Sequence, residues 1–279
     1  MQSVIDPVSS RPVQIGVQIA PQHVDYSAIR RAAVQAEDIG VDIVFNWDHF
    51  LPISGDEHGK HFECWTMLAA WAELTSRVQL GPMVTSIGFR NPDLVADMAR
   101  TIDHISGGRL ILGIGAGAME RDFAEYGYEF GTPGSRVGAL AEALPRLEHR
   151  FAKLNPQPVR KIPVLIGGGG EQKMLRLVAE HADIWHWFSS GAEFARKKQV
   201  LVERCAEIGR DPGEIELSAG VHGEPEVNGV ALLEQGVTTF TLEVHGPDFD
   251  FSTVRAWVAW RDGLGGPGRT AEDSARAPA

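Results

Sequence analysis

Short apolar runs alternate along the chain with longer stretches whose apolar residues recur every three or four positions, from Val13 to about Asp262. Strands send successive side chains to opposite faces, and helices bring positions three and four apart together. The alternation therefore predicts repeated strand–helix units around a parallel sheet. The first unit couples a β-branched strand, Val13–Ala20, to a helix over Asp25–Ile39 that Gly40 can close. The second joins Val41–Asn46 through a long charged loop to a helix over Glu63–Thr75, with Trp65, Leu68, Ala69 and Ala72 on one face. The third runs Val78–Thr85, then a helix that Asn91 caps, with Pro92 in its first turn, and that ends at Gly107–Gly108.

Strand four, Arg109–Ile114, breaks at Gly115 and Gly117 before a helix over Arg136–Lys153. Strands at Pro163–Ile166, Asp183–Phe188, Glu214–Gly220 and Val237–Val244 follow, with helices over Glu171–His181, Glu193–Ile208, Val227–Gln235 and Phe251–Arg261. Eight such units predict an α/β protein built as a closed (β/α)8 TIM barrel; an open doubly wound sheet is the alternative. The barrel is preferred because no G-x-G-x-x-G turn follows the first strand, and because polar and glycine residues gather after many strands, where barrels carry chemistry. At 279 residues the chain has the length for one such domain, assigned to 13–262. Residues 263–279 lack periodic apolar positions and are expected to form a flexible tail.

Composition narrows the partners. Lys and Arg number 26 against 37 Asp and Glu, so a net charge of -11 leaves no broad basic surface for nucleic acid. The start lacks the cationic and apolar regions of a secretory signal, and no apolar stretch is long enough to span a membrane, so a cytoplasmic protein is expected. Cys64 and Cys205 supply neither a disulfide framework nor a paired-cysteine metal motif, and are read as reduced, structural thiols.

Candidate chemistry lies at strand ends. After strand two, Asp48 and His49 set a carboxylate beside an imidazole, which suits proton transfer near neutral pH; an N-terminal cap with a surface histidine is the plainer reading. After strand three, Met83, Val84 and Thr85 follow Gly81–Pro82, allowing a flat ring to approach the main chain, or simply bending the barrel rim. Gly115 and Gly117 clear space after strand four. Gly167, Gly168, Gly169 and Gly170 precede a helix, where successive amides and the helix N-terminus suit a phosphate, although a tight flexible turn fits the same letters. Further histidines at positions 58, 61, 186, 222 and 245 keep a metal-dependent hydrolase open, although strand one supplies no ligand at Val17-Gln18-Ile19 and the charged loop around His58 and His61 also reads as a solvated turn. Whether His186 faces the barrel mouth or the helix layer is undecided by its neighbours Trp185 and Trp187.

Taken in order, Asp48-His49-Phe50, Leu80 to Thr85 with Phe89-Arg90-Asn91-Pro92, Ile105 to Gly117, and Ile166 to Gly170 with Ala182-Asp183-Ile184-Trp185 are similar to the luciferase-like monooxygenase superfamily. The likeness is strongest to its actinobacterial F420-dependent oxidoreductases. It implies a deazaflavin F420 cofactor, with FMN as the alternative, and a small-molecule substrate. Asp48 and His49 would flank the ring, with His49 as acid or base, the Met83–Val84 peptide as a cis bulge behind the ring, and Gly168, Gly169 and Gly170 around the phosphate. It also implies a homodimer. Arg90, Arg121 and Arg136 are candidates for a cationic rim facing the glutamyl tail. Ala118 and Ile53 depart from the sugar-phosphate dehydrogenases of the family, which carry an acid and an aromatic there, and the short connection Leu154–Lys161 implies a reduced lid. An F420-dependent hydride transfer is thus the expected activity. An FMN-dependent monooxygenase is its near alternative, and a non-catalytic cofactor-binding protein a further one.

Overall fold

The computed structural model describes residues 11–188 and 191–264. Its elements run β1 (Gln14–Ile19), α1 (Tyr26–Asp38), β2 (Ile43–Asn46), α2 (Cys64–Leu74), β3 (Gln79–Pro82), β4 (Thr85–Ser86), α3 (Pro92–Ile105) and β5 (Leu112–Gly115). They continue as α4 (Glu120–Glu125), α5 (Pro133–Phe151), β6 (Val164–Gly167), α6 (Met174–His181), β7 (Ile184–Trp187), α7 (Gly191–Ile208), β8 (Glu216–Gly220), α8 (Pro225–Glu234), β9 (Val237–Val244) and α9 (Ser252–Gly263). All pairings of the sheet are parallel, in the order β3-β2-β1-β9-β8-β7-β6-β5-β4.

The predicted third strand is split, and the split closes the ring. Its first half, β3, pairs with β2, setting Asn46 against Pro82, and its second half, β4, pairs with β5, setting Thr85 against Ile114. Across the seam the Leu80 amide donates to the Arg109 carbonyl at 3.1 Å, and the Ile111 amide donates to the Leu80 carbonyl at 2.9 Å. Gly113 permits this approach, because a Cβ there would lie 2.0 Å from the Pro82 carbonyl oxygen. The closed barrel replaces the open-sheet alternative, and nine strands stand where eight were expected because one barrel strand is interrupted at Met83–Val84.

Helix ends follow local chemistry. Asn91 caps α3 by accepting from the Asp93 amide at 2.9 Å, and Glu63 caps α2 by accepting from the Trp65 and Thr66 amides at 3.1 and 2.7 Å. The outer face of the strands and the inner faces of the helices form one apolar layer that includes Trp65, Trp71, Trp185, Phe194, Phe240 and Trp257. A smaller cluster inside the ring comprises Ile43, Phe45, Met83, Ile111, Leu165 and Ile184, with Val84 packed on it. These residues come from β2, the β3–β4 break, the position just before β5, and strands β6 and β7. The opposite wall is polar: Thr239 bonds Gln14 and Glu216, and Ser218 bonds His186. The barrel interior is therefore divided into an apolar half and a polar half.

The expected tail begins inside a helix, since α9 runs through Gly263, and residues 265–279 lie outside the described residues. No described helix is long and apolar enough to cross a membrane.

Candidate active site at the carboxyl ends of the strands

Parallel strands bring the residues after β2, β3, β5 and β6 to one rim, so His49, the Met83–Val84 break, Gly115–Gly117 and the glycines after β6 share the same end of the barrel. His49 stands on the loop after β2 with its side chain 25% exposed, and its Nδ1 lies 2.5 Å from Oδ2 of Asp122. Asp122 is buried on α4, and its other oxygen accepts from the amides of Phe50 and Leu51 at 3.1 and 3.2 Å. A carboxylate so surrounded by donors fixes the ring, leaving Nε2 as the nitrogen available for exchange. Sequence reasoning did not find Asp122, because α4 lies within what reads as loop between Gly117 and Arg136. The available signal was an acid four residues beyond Ala118.

Asp48, adjacent in sequence, points elsewhere. It is buried, accepts from the Thr85 hydroxyl, and forms a two-point pair with Arg90, whose Nη1 and Nη2 lie 2.6 and 3.0 Å from its oxygens. Arg90 Nη2 also donates to Glu63 at 2.7 Å, and the Trp65 indole donates to Thr85 at 3.1 Å. Burial pushes the Asp48 carboxyl above its ordinary value, with Arg90 and Thr85 pulling the other way. Asp48 and Thr85 thus anchor the β2 end to β4 and α2. Arg90 was expected on a cationic rim; the structure corrects this, because its guanidinium is only 11% exposed and engaged by both carboxylates. Arg121 donates to the Glu57 carbonyl at 2.6 Å, and Arg136 donates to the Gly117 carbonyl at 3.0 Å while lying 3.8 Å over the Phe130 ring.

The peptide joining Met83 and Val84 is cis, as the resemblance implied. Its surroundings hold it from both sides: the Met83 amide donates to Asn46 at 2.7 Å, and Gln18 Nε2 donates to the Met83 carbonyl at 2.6 Å. Gly115 was expected to clear the mouth. The space it leaves is filled by the protein itself, since a Cβ there would lie 2.8 Å from Val84 Cγ2. At Gly117 the neighbours are Ser86 and Phe123, and the backbone has φ +81.

After β6, Gly168 takes φ +133, its amide donates to His186 at 3.3 Å, and its carbonyl accepts from the Trp185 indole at 2.8 Å. Gly169 accepts from Lys197 Nζ at 2.7 Å, and Gly170 accepts from the Leu175 amide at 3.0 Å. The helix beyond begins at Met174, three residues later than the expected Glu171, so the turn Glu171–Lys173 separates the glycines from the helix end.

His186 faces the barrel interior. Its Nδ1 is 2.8 Å from Ser218 Oγ, and Nε2 has no hydrogen-bond partner among the described residues. Burial lowers its pKa to about 3. His61 bonds the Trp47 indole at 3.2 Å; burial, then the charge of His49, lowers it to about 4. No group of three or more histidine, cysteine or acidic residues converges in a metal-binding arrangement among the described residues. Cys64, buried, donates to Asn46 at 2.9 Å.

The Ser86 hydroxyl, His186 Nε2 and the Thr241 hydroxyl are buried without a hydrogen-bond partner among the described residues, and all belong to strands that end at this rim. Unpaired buried polar groups are uncommon in folded proteins. The Trp187 indole packs instead toward α7, with Lys197 Nζ 4.9 Å from its ring centre.

Residues 9–223 match the luciferase-like monooxygenase family. The F420-dependent glucose-6-phosphate dehydrogenase of Amycolatopsis mediterranei is 33% identical over 50% of this chain and 46% of its own length. Pyrimidine monooxygenase RutA of Stutzerimonas stutzeri is 28% identical over 68% of this chain and 59% of its own. The chain thus spans about half the length of the first of these relatives. Among solved structures, an F420-dependent secondary alcohol dehydrogenase bound to an F420–acetone adduct shares the fold with a TM-score of 0.74 and 17% identity, covering 89% of this chain and 98% of that one. With most of its length matched and its interrupted third strand and glycine turn on one rim, the chain belongs to the luciferase-like monooxygenase family.

Proposed function

We propose that the chain is an F420-dependent oxidoreductase acting on a small organic molecule. The observation that carries this reading is His49, steadied by Asp122 at the rim that also holds the 83–84 break and the glycines after β6. The likeness to F420-dependent dehydrogenases supports the cofactor.

When bound, F420 supplies two-electron hydride chemistry, and the protein's contribution is position and proton handling. His49 Nε2 gives a proton to, or takes one from, the substrate oxygen as hydride moves. Asp122 holds the ring at Nδ1 and stabilises the imidazolium. Asp48 acts as a positioning residue that keeps the β2 loop fixed through Thr85 and Arg90. The Met83–Val84 peptide backs the ring. Gly168, Gly169 and Gly170 receive the phosphate, with the amides of Gly169 and Gly170 as donors. Gly115 and Gly117 act indirectly, by admitting Val84 and Ser86. A homodimer, as the resemblance implies, is part of the reading and is testable by light scattering.

An FMN-dependent monooxygenase, the alternative that the family resemblance implies, is the second reading, and the similarity to a pyrimidine monooxygenase supports the monooxygenase part of it. Titration of purified protein with F420 and with FMN, followed by fluorescence, separates the two. Tighter F420 binding is expected, and much tighter FMN binding would overturn the cofactor assignment. His49→Ala is expected to slow turnover on the order of 10²-fold or more while keeping cofactor affinity, the usual scale for loss of a general acid or base.

A further inference from the structure

A cavity of about 370 Å³ opens at the polar half of the mouth, lined by Gln18 of β1, Met83, Phe188, the loop after β8 with His222, and the β9 residues Thr241 and Glu243, with Asp250 before α9. Thr241 is 3% exposed, lines the cavity, and its hydroxyl has no hydrogen-bond partner among the described residues, so a buried donor and acceptor faces this space. Two residues further along the same face of β9, Glu243 is exposed at the cavity wall, with His245 3.3 Å away. Asp250 accepts from the amide and hydroxyl of Ser252, at 2.8 and 3.0 Å, which hold its carboxyl below the ordinary value and so keep it charged. Among the described residues no lysine or arginine lines the cavity.

We propose that this cavity is a substrate subsite that takes a hydrogen-bonding neutral or cationic group, with Thr241 as its buried polar contact and Glu243 as its charge selector, and that it rejects anionic substrates. The proposal rests on the oxidoreductase reading and deepens it, since Met83 forms part of both the cofactor bulge and this wall. Two exposed carboxylates on a concave wall disfavour a phosphate or carboxylate and favour an ammonium, while a hydroxyl or amide is met by the buried Thr241. The same field would disfavour the acidic tail of the cofactor on the β8–β9 side.

The test uses three probes of one shape, benzylammonium, benzyl alcohol and benzoate, in saturation-transfer NMR on the full chain, with F420 titrated in parallel. Expected is binding of the first two and at least about tenfold weaker binding of benzoate, the scale that like-charge contact imposes. Glu243→Lys should invert the order of ammonium and benzoate, and the near-isosteric Glu243→Gln should level it with thermal unfolding unchanged. Thr241→Val should weaken benzyl alcohol most. Benzoate binding the wild type as well as benzylammonium does, or an order unmoved by both Glu243 variants, would overturn the subsite. Failure of F420 to bind any form, with the probe order intact, would instead remove the oxidoreductase reading and leave the charge selection standing.

Discussion

An imidazole in water exchanges tautomers and orientations freely. His49 is restrained because Asp122 is saturated by the Phe50 and Leu51 amides on one oxygen and faces Nδ1 with the other. An ionised carboxylate only accepts, so Nδ1 carries a proton. Asp122→Asn offers an amide in its place and frees the ring to turn. Its expected effect is a loss of about tenfold to a hundredfold in single-turnover hydride transfer, below the full general-acid contribution. F420 affinity should stay near that of the wild type, as read by stopped-flow absorbance and fluorescence titration. Equal turnover in Asp122→Asn would show that the ring needs no such restraint. Asp48 makes a contrasting case. Replacing it with Asn leaves the Arg90 guanidinium buried beside a neutral group, and breaking a buried pair in this way costs about 3–5 kcal/mol. Urea unfolding of Asp48→Asn should therefore show a large stability loss, part of it offset by the remaining Glu63 contact. A variant of unchanged stability that had lost only turnover would return Asp48 to a direct catalytic role.

The elements around the β3–β4 break depend on glycines on the neighbouring strands. Val84 packs where side chains of β5 and β6 would project: a Cβ on Gly115 would lie 2.8 Å from Val84, and one on Gly167 3.1 Å. Gly115→Ala should displace the break and cost about 1–3 kcal/mol, as overpacking does in a filled core. Trimming the partner in Gly115→Ala/Val84→Ala should recover part of that loss, a positive coupling that a double-mutant cycle in urea unfolding measures. Additive losses would mean that the two side chains do not compete for the same space. This explains what the letters revealed and what they hid. Apolar alternation located the barrel strands and placed His49 and the tetraglycine run after strands, because period and turn chemistry are local. The interruption was anticipated only through family likeness. Asp122 stayed hidden because its contact with His49 spans 73 positions and its short helix has too few turns for a periodic signal. Arg90 was misplaced for a related reason: it was offered to the rim to meet an acidic cofactor tail, and only the folded ring brings Asp48 and Glu63 to it.

At the scale of the whole molecule, the division of the barrel interior into apolar and polar halves has a measurable consequence through His186. The polar wall buries this imidazole with one nitrogen on Ser218 and the other without a partner among the described residues, and burial lowers its pKa from 6.5 to about 3. Below pH 6.5 the unfolded chain takes up a proton there that the folded chain refuses, so the unfolded state binds more protons and folding stability falls as pH falls. The loss continues until pH nears 3, where the folded form protonates as well. Each unit of pH is worth at most about 1.4 kcal/mol for one such group, so lowering the pH from 6.5 to 5 should remove no more than about 2 kcal/mol through His186. His61, lowered to about 4 by burial and by His49, adds in the same direction. The carboxylates held low, such as Glu37 beneath the amides of Ser76, Arg77 and Val78, lose their contribution mainly below pH 5; Asp48, held high by burial, shifts stability the other way but does so equally in the wild type and a His186 variant, so the difference between the two reports His186. Replacing His186 with Asn keeps a polar group near Ser218 and removes the titration. Urea unfolding at pH 7, 6, 5.5 and 5 should then show a steep decline for the wild type and a clearly shallower one for His186→Asn. Parallel slopes would mean that the imidazole takes up its proton inside the folded barrel, which would require a solvent path or an acceptor reaching Nε2 through the mouth.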